Sequence, residues 1–390
     1  MKYNNINRRI FYISFFLTTI ATSLHHSILT VLLLSRGLNI SDIVLVQLFF
    51  NVAIVLFEFP SGVLADLYSR KFLYMFSNLF LIIFFVIVYF SSNIFMLATA
   101  WFVYGLSNAL SSGTIDAQLV NDIKRENDNL LHIFIRNVQQ LNMIGLILGS
   151  SIGSFLYFTI GANIYVLGII MTVIAILVVL PFKNNQTVIT NENNKLKAHL
   201  SQVFNDIKES KIIQLLTIST MISQIFMQTH FQLWQNYLLD ISINKKILFI
   251  FYILFQAIGF FIIYVPLFMV DRIIKKRYIF IIVIIPMILL IGMKAKYSIV
   301  IYCVITAIFT LINFYINTNF SKFVSEKNIS SITSFRGTIT RITSIIILAL
   351  SGLMLKFMTT TLVIIVNFLI ATIIIVYLLN KITQLKNKTN

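Results

Sequence analysis

The stretch "PSGVLADLYSRK", residues 60–71, is a short polar break between two long apolar runs. It places Asp66 and two adjacent cations, Arg70 and Lys71, between segments that carry almost no charge. Of the 390 residues in the chain, 58% are hydrophobic and 11% are charged, and a soluble domain of this size does not bury so large an apolar share. The break is therefore predicted to join two helices that cross a lipid bilayer.

Apolar runs of about 20 residues, enough to cross the hydrocarbon as a helix, recur along the whole chain. Each run is longer than the roughly 10 residues of a barrel strand and lacks alternation of polar and apolar positions. We therefore expect an all-α membrane protein with twelve transmembrane helices. The predicted spans are 10–34, 43–65, 72–90, 93–115, 134–159, 161–182, 212–238, 247–270, 278–293, 297–320, 334–356 and 359–380.

The positive charge follows the loops rather than forming one basic patch. With the N-terminus inside, 24 of the 30 Lys and Arg residues fall in cytoplasmic segments. The positive-inside rule then predicts a multi-pass protein of the plasma (inner) membrane with both termini cytoplasmic. A net charge of +17 distributed in this way indicates topology, so we expect no nucleic-acid partner. The cations left outside are Arg36, Lys245, Lys246, Lys294, Lys296 and Lys356.

Several kinds of chemistry are not predicted. Cys303 is the single cysteine, so the chain builds neither a disulfide framework nor a thiolate metal site. A Gly-rich loop followed by Lys and Ser or Thr, which would bind ATP phosphates, is not found in the sequence. We therefore expect a protein that is not an enzyme and uses no metal and no cofactor.

The longest polar stretch divides six spans from six and predicts the domains. We expect an N-terminal six-helix bundle at 1–183, a cytoplasmic linker at 184–210, a C-terminal six-helix bundle at 211–382 and a cytoplasmic tail at 383–390. Within the linker, apolar residues at i, i+3, i+4 and i+7 predict an amphipathic helix along the inner membrane face. These residues are Leu200, Val203, Phe204 and Ile207.

An offset of about 200 to 205 residues relates the two halves, which favours a duplicated architecture whose halves rock about a central site. Residues at corresponding positions are the Asp66 loop with Asp271, Lys275 and Lys276, Arg136 with Arg336, and His25 with His230.

The residues of the opening break carry a resemblance to a known family. The order Gly62-Val63-Leu64-Ala65-Asp66-Leu67-Tyr68-Ser69-Arg70-Lys71 is similar to the signature loop of the major facilitator superfamily, with Leu67 in place of a cation and Ser69 in place of a glycine. The resemblance covers the whole chain at the level of topology. It implies two pseudo-symmetric six-helix bundles and a conformational latch. The latch residues are Gly62, Asp66, Arg70, Lys71 and, at the start of the eleventh span, Arg336.

The same resemblance implies that spans one, four, seven and ten line a substrate cavity. Polar residues form a stripe on each of these helices, and the four glutamines of the seventh span fall within roughly an 80° arc. The stripes are uncharged, which favours a neutral or amphipathic substrate; the alternative is that they only bond neighbouring helices. The cavity candidates are Thr22, His25, Trp101, Asn108, Gln224, Gln228, Gln232, Gln235, Asn313 and Asn317.

Coupling to an ion gradient has four candidate residues. Glu58 lies within the second span, and a lone carboxylate there is costly when ionised. It either exchanges protons, pairs with Arg341 of the eleventh span as a fixed contact, or contacts the substrate. His25 and His230 titrate near neutral pH and are the other proton candidates.

The sequence thus predicts a monomeric secondary transporter that exports a small neutral or amphipathic molecule in exchange for protons. In the fifth span, Gly145, Gly149 and Gly153 permit close helix packing and resemble the glycine motif of drug-efflux antiporters, without its Gly-Pro step. The first alternative is an uptake permease for a neutral polar solute. The second is a membrane scaffold or sensor that keeps the fold without transporting, in which Gln228 and Asn313 would pack against protein.

Overall fold

The computed structural model describes residues 2–67, 69–112, 114–126, 129–183, 210–262, 264–275, 278–292, 297–324 and 329–389. Within these ranges the backbone forms fifteen α-helices and two short 3-10 helices, and no strand. The predicted all-α class is therefore confirmed.

The first eight helices run from the N-terminus to residue 179. They are α1 (Lys2–Ser23), α2 (Leu29–Ser35), α3 (Ile40–Leu67), α4 (Arg70–Phe90), α5 (Ile94–Ser111), α6 (Ile115–Glu126), α7 (Asn129–Ile160) and α8 (Ile164–Val179), with a 3-10 turn at Gly161–Asn163.

Seven further helices follow residue 210. They are α9 (Lys211–Asp240), α10 (Leu248–Ile262), α11 (Leu267–Lys275), α12 (Tyr278–Gly292), α13 (Ser298–Phe323), α14 (Ile329–Met354) and α15 (Thr360–Thr389), with a 3-10 turn at Lys245–Ile247.

Short polar side chains fix the starts of several of these helices. Ser69, Asn93 and Ser210 each accept a hydrogen bond from a backbone N–H of the first turn that follows, in α4, α5 and α9. The first turn of a helix has backbone N–H groups without helical partners, and such caps satisfy them.

Nine segments of the described residues are long and apolar enough to cross a bilayer, and together they account for ten of the twelve predicted spans. One of them, Ile133–Val179, holds both the fifth and the sixth span. The first predicted span is divided into α1 and α2 by a turn at residues 24–28, and the ninth is the shorter α12.

Contacts divide the chain into two compact units. The first unit is Met1–Thr190 with Asn244–Ile253, and the second unit is Asn191–Ile243 with Leu254–Asn390. Of the predicted linker, 184–210, only Ser210 is among the described residues. The predicted amphipathic helix therefore lies outside the described part of the chain. The α15 helix continues to Thr389, through the residues predicted to form the tail.

Glycine permits a close helix contact in the first unit, between α1 and α7. A Cβ at Gly149 would lie 2.5 Å from the Ile20 carbonyl oxygen, and one at Gly153 would overlap the backbone of Leu24. The two helices can therefore pack at backbone distance, as the spacing of the fifth-span glycines predicts. Ser23 and Ser27 donate hydrogen bonds across the same seam to carbonyl oxygens of α7.

Each unit has an aromatic core of its own. In the first unit, Phe84 lies edge-on to Trp101 with ring centroids 5.4 Å apart. In the second unit, Phe226 stacks on Phe309 with centroids 4.1 Å apart and packs against Phe368 at 4.4 Å. These large side chains are buried and hold the helices around them in place.

Candidate functional site

The first unit contains a cavity of about 370 Å³, which we call the first-unit cavity. Side chains of α1, α4, α5, α6 and α7 line it, together with His26 from the turn after α1. Its polar lining consists mainly of hydroxyl and amide groups, and rings cover part of its wall. The lining residues are Phe11, Phe15, Thr18, Thr19, Thr22, His26, Tyr74, Ser77, Asn78, Leu81, Tyr104, Ser107, Asn108, Ser111, Ser112, Asp116, Val138, Asn142 and Leu146.

The threonines of α1 are bonded to their own helix. Thr18 donates to the Ser14 carbonyl oxygen at 3.1 Å, and Thr22 donates to that of Thr18 at 3.0 Å. A hydroxyl bonded in this way is satisfied without water, yet it keeps lone pairs that can accept a hydrogen bond from a ligand. Two predicted cavity residues, Thr22 and Asn108, lie in this lining, and the Asn108 side chain is exposed.

A stripe on α4 completes the lining. Tyr74, Ser77, Asn78 and Leu81 stand at i, i+3, i+4 and i+7, so they share one helical face. Tyr74 also shares a hydrogen bond of 3.1 Å with Ser14 of α1. The α4 helix is the third span, whereas the family resemblance implies a cavity lined by spans one, four, seven and ten. The periodic polar stripe was the signal that could have found it.

Asp116 is the acidic member of the lining. Its Oδ1 is buried and has no hydrogen-bond partner among the described residues. Arg70, at the start of α4, interacts electrostatically with this carboxylate. Arg70, a predicted latch residue, therefore lies close to the cavity that Asp116 lines.

His25 lies behind the cavity rather than in its lining. The side chain is 2% exposed, and the nearest ring centroids are those of His26, Phe84 and Tyr165 at 5.2, 5.8 and 5.9 Å. Its Nδ1 has no hydrogen-bond partner within the described residues. The adjacent His26 lines the cavity instead and lies 3.2 Å from the hydroxyl of Tyr252, which belongs to the same unit.

Trp101 is also placed outside the lining. It is 3% exposed and packs with Phe84 in the aromatic core, while Tyr104, three residues later on α5, reaches the cavity. A stripe of polar and aromatic residues predicts which face of a helix is turned toward other helices. It does not tell a core position from a cavity position one turn away.

The second unit contains a cavity of about 360 Å³, which we call the second-unit cavity. It lies between α9 and α14, and it brings together three predicted residues, Gln224, Arg336 and Arg341. The complete lining is Thr220, Gln224, Thr333, Arg336, Gly337, Thr340, Arg341 and Ser344.

A hydrogen-bonded bridge connects the two helices beside this cavity. Gln228 donates to the Ser344 hydroxyl at 3.0 Å, and that hydroxyl lies 3.3 Å from the Gln224 Oε1. Asn313, on α13, accepts a hydrogen bond at its Oδ1 from the Ser223 hydroxyl of α9, at 3.3 Å. Gln228 and Asn313 therefore bond neighbouring helices. Of the other predicted cavity residues, Gln235 is buried, and Gln232 and Asn317 are half-buried.

His230 occupies a buried place in the second unit that resembles that of His25. It is 5% exposed and stacks on Phe226 with centroids 5.8 Å apart. In contrast to His25, its Nδ1 lies 3.0 Å from the Tyr302 hydroxyl.

The remaining predicted residues surround the ends of helices. Gly62 and Asp66 lie in the last turns of α3, but their side chains are outside the described part of the chain. Lys71 donates to the Leu180 carbonyl oxygen. The Glu58 side chain is exposed, at the end of the candidate span Ile40–Glu58. The Arg336 guanidinium lies 3.9 Å above the Phe320 ring.

Comparison with known proteins adds a family and a fold. The sequence pattern of the family described as Major Facilitator Superfamily matches residues 11–346. No curated protein matches the chain in sequence.

Three solved structures show the fold that this chain shares. The nucleoside transporter NupG, in a mutant form, matches with a TM-score of 0.76 and 15% identity over 96% of this chain and 98% of its own. An inward-facing bacterial homolog of the human lysosomal transporter Spinster matches at 0.71 and 12% identity, over 99% and 97%. The POT family transporter PepTSo matches at 0.69 and 12%, over 97% and 98%. At these identities the likeness concerns the fold alone.

Proposed function

Because the chain belongs to the Major Facilitator Superfamily, we propose that it is a secondary active transporter that works by alternating access. Its substrate is a small neutral or amphipathic molecule, and it exports this molecule across the plasma (inner) membrane in exchange for protons. It acts as a monomer within the lipid bilayer.

The first-unit cavity is the observation that carries this proposal. A volume of about 370 Å³ is within the range of small-molecule sites, which combine apolar walls with a few polar groups that fix orientation. The rings of Phe11, Phe15 and Tyr104 offer stacking surface, and the hydroxyls and amides offer neutral hydrogen-bonding partners. Asp116 is the only charged residue of this described lining, and its electrostatic interaction with Arg70 offsets part of that charge, which supports a substrate without net charge at this site.

The distribution of cations supports the proposed orientation. With both termini in the cytoplasm, 24 of the 30 Lys and Arg residues face that side. Lys71 and Arg70 begin α4 directly after the signature loop, so that loop is then cytoplasmic.

We also assign the latch to that loop. In the proposed mechanism, Gly62 permits close helix approach and Asp66 engages the start of α14 near Arg336 in one of the two states. Arg70 and Lys71 hold the loop at the cytoplasmic surface. Support comes from the signature order of residues 62–71 and from the bond that Lys71 makes to the end of the sixth span.

Glu58 is the first choice for proton exchange. Its side chain is exposed at the end of a candidate span, whereas His25 and His230 are both buried among rings. A carboxylate near the hydrocarbon must face water, be neutralised or be paired, and Arg341 is the partner we propose for its ionised state. The two histidines would act as later members of a proton path.

An uptake permease is the second transport candidate. The uncharged hydroxyl and amide lining of the first-unit cavity would serve a polar neutral solute equally well. NupG, which shares the fold, is described as a nucleoside transporter, so a nucleoside is a rational probe for this chain.

A non-transporting scaffold is favoured by one observation. Gln228 and Asn313 bond to neighbouring helices, as a packed scaffold would require. The first-unit cavity argues for transport, because a scaffold has no use for a polar space of this size.

Flux in proteoliposomes tests the proposal. Purified protein is reconstituted in vesicles that contain a pH-sensitive dye, and uridine, glucose and chloramphenicol are supplied as neutral polar and amphipathic probes under an imposed pH gradient. We expect at least one probe to move against the proton flow, with a matching change of internal pH. Transport without any change of internal pH would contradict the proton coupling. If none of the probes moves in either direction, the result would favour the scaffold.

A carboxylate variant locates the coupling. Glu58→Gln is expected to abolish gradient-driven flux but to retain exchange of labelled for unlabelled probe, because exchange needs no net proton transfer. Asp42→Asn, which removes a carboxylate from the first turn of α3, is the matched control and should behave as the natural chain. Unchanged gradient-driven flux in Glu58→Gln would exclude Glu58 from coupling.

A further inference from the structure

The second-unit cavity has a basic lining, in contrast to the first-unit cavity. Two arginines, Arg336 and Arg341, border it, and the other six lining residues carry no charge. Charged groups in a membrane protein are costly unless they are paired or face water, and those that are kept often serve a function.

The cationic groups belong to one face of α14. Thr333, Arg336, Gly337, Thr340, Arg341 and Ser344 are spaced by three or four residues along the helix, which places them on one side. Across the cavity, Thr220 and Gln224 stand one turn apart on α9. Both arginines are thus presented to a single space with polar walls.

Arg336 is held in position and has an unused donor. Its guanidinium carbon lies 3.9 Å from the centroid of the Phe320 ring, which supports the planar group from below. The Nη1 atom is buried and has no hydrogen-bond partner among the described residues. A buried donor without an acceptor costs free energy, and an anionic oxygen would satisfy it.

The middle of this face is open. A Cβ added at Gly337, between the two arginines in sequence, would meet nothing within 4 Å. The side-chain carbonyl oxygen of Gln224, in turn, is held by the Ser344 hydroxyl at 3.3 Å, which fixes the orientation of the amide at the cavity wall.

We propose that the second-unit cavity binds an oxyanion, the carboxylate or phosphate group of a small molecule or a free inorganic anion. The planar guanidinium presents N–H donors in a fork that matches two oxygens of such a group. Arg336 and Arg341 supply the charge, Gln224 donates from its amide nitrogen, and Gly337 leaves room for the ligand. The site goes beyond the proposed transport of a neutral molecule and does not rest on it. An oxyanion would occupy it in the state in which Asp66 and Glu58 do not engage these arginines, and its binding can be measured on the protein at rest.

Titration calorimetry on the full-length protein in detergent tests the site. Sodium phosphate and sodium benzoate are titrated separately at constant ionic strength, with sodium chloride as the replaced salt. We expect at least one of the two to bind with a Kd in the millimolar range or below, and binding to weaken about tenfold or more in Arg341→Gln and in Arg336→Gln. Arg272→Gln removes an exposed arginine of α11 that does not line the cavity, and it should leave binding unchanged.

A second variant separates the site from a general effect of charge or folding. Gly337→Leu keeps both arginines but fills the space, so it should also weaken binding about tenfold. If an arginine variant does not give monodisperse protein, the binding measured for Gly337→Leu tests the site in its place. Arg341→Lys keeps the charge without the fork and should bind more tightly than Arg341→Gln, though less tightly than the natural chain.

The probes identify the source of the oxyanion. Phosphate binding that exceeds benzoate binding indicates an inorganic anion or a phosphorylated molecule, and the reverse order indicates the carboxylate of an organic molecule; both support the site. The proposal is overturned if neither probe binds at concentrations of about 50 mM, or if Arg272→Gln weakens binding as much as Arg341→Gln.

Discussion

The first-unit cavity and the second-unit cavity have nearly the same volume, about 370 and 360 Å³, but different chemistry. Aromatic, hydroxyl and amide groups surround the first, and its Asp116 interacts with Arg70. Two arginines border the second, and its other lining residues in the described part of the chain are uncharged. Two cavities of similar volume in one chain therefore offer different groups to a ligand.

The buried histidines show the same divergence. His25 and His230 both lie among aromatic rings, 205 positions apart in sequence. The Tyr302 hydroxyl contacts His230, whereas the Nδ1 of His25 has no hydrogen-bond partner in the part of the chain that the structure describes. Similar placement thus leaves the two rings with different hydrogen bonding.

The largest expected effect comes from glycines of the two units. Gly153→Leu should prevent folding or cost more than about 3 kcal/mol, because its side chain would overlap the backbone of Leu24, directly after α1. Fluorescence-detected size-exclusion chromatography measures the folded yield. Gly337→Ala in the second unit is the control, since its Cβ meets nothing. A normal yield for Gly153→Leu would show that α1 and α7 can separate.

An asparagine on each unit separates a cavity role from a packing role. Asn108→Leu should lower probe flux about tenfold at unchanged thermal stability, because Asn108 is an exposed cavity residue. Asn367→Leu should instead cost about 0.6–1.7 kcal/mol of stability, since Asn367 donates to Thr229 at 2.8 Å and to Ser351 at 2.9 Å. Flux and melting temperature are measured on the same preparations. Equal flux in Asn108→Leu and the natural chain would remove the first-unit cavity from the transport path.

Much of the fold follows from the sequence, and the reasons can be given for particular elements. Apolar runs of span length predict α4, α9 and α13, and the caps Ser69 and Asn93 mark where helices begin. The turn at residues 24–28 has no such signal, because neither proline nor glycine occurs between Ser23 and Leu29. It coincides with hydrogen bonds from Ser23 and Ser27 to carbonyl oxygens of α7, which a local pattern does not show.

The candidate sites were less predictable. Thr22, Asn108, Gln224 and both arginines of α14 were named from sequence and lie in cavity linings. Trp101 and His25 lie in the aromatic core, because periodicity identifies a face but not what the neighbouring helices place against it. The α4 stripe was missed for the same reason, and its polar residues gain meaning only once α1 and α5 are set beside them.

Two tyrosine hydroxyls sharpen the comparison of the histidines. Tyr302→Phe should cost about 1 kcal/mol, because it leaves the His230 Nδ1 without its partner. Tyr165→Phe should be neutral or slightly stabilising, since the Tyr165 hydroxyl is buried with no hydrogen-bond partner among the described residues. Thermal unfolding in one detergent measures both. Equal shifts would mean that the two histidine environments do not differ in the way the structure indicates.

The smallest expected effect belongs to the open glycine of α14. Gly337→Ala should raise stability by a few tenths to about 1 kcal/mol, because alanine favours the helix and its methyl group meets no neighbour. Chemical unfolding in mixed micelles measures the difference. A loss of stability would show that the space beside Gly337 is closed.

The turn at residues 24–28 divides the first span into two helices. The α1 helix and the seven-residue α2 are joined by five residues that belong to neither helix, and one of the five, His26, lies in the wall of the first-unit cavity. A solute that contacts His26 would therefore contact the connection between the two helices, and we expect its effect to reach α2. Hydrogen–deuterium exchange should then show altered protection in α2, which contributes no lining residue to the cavity, when a solute binds.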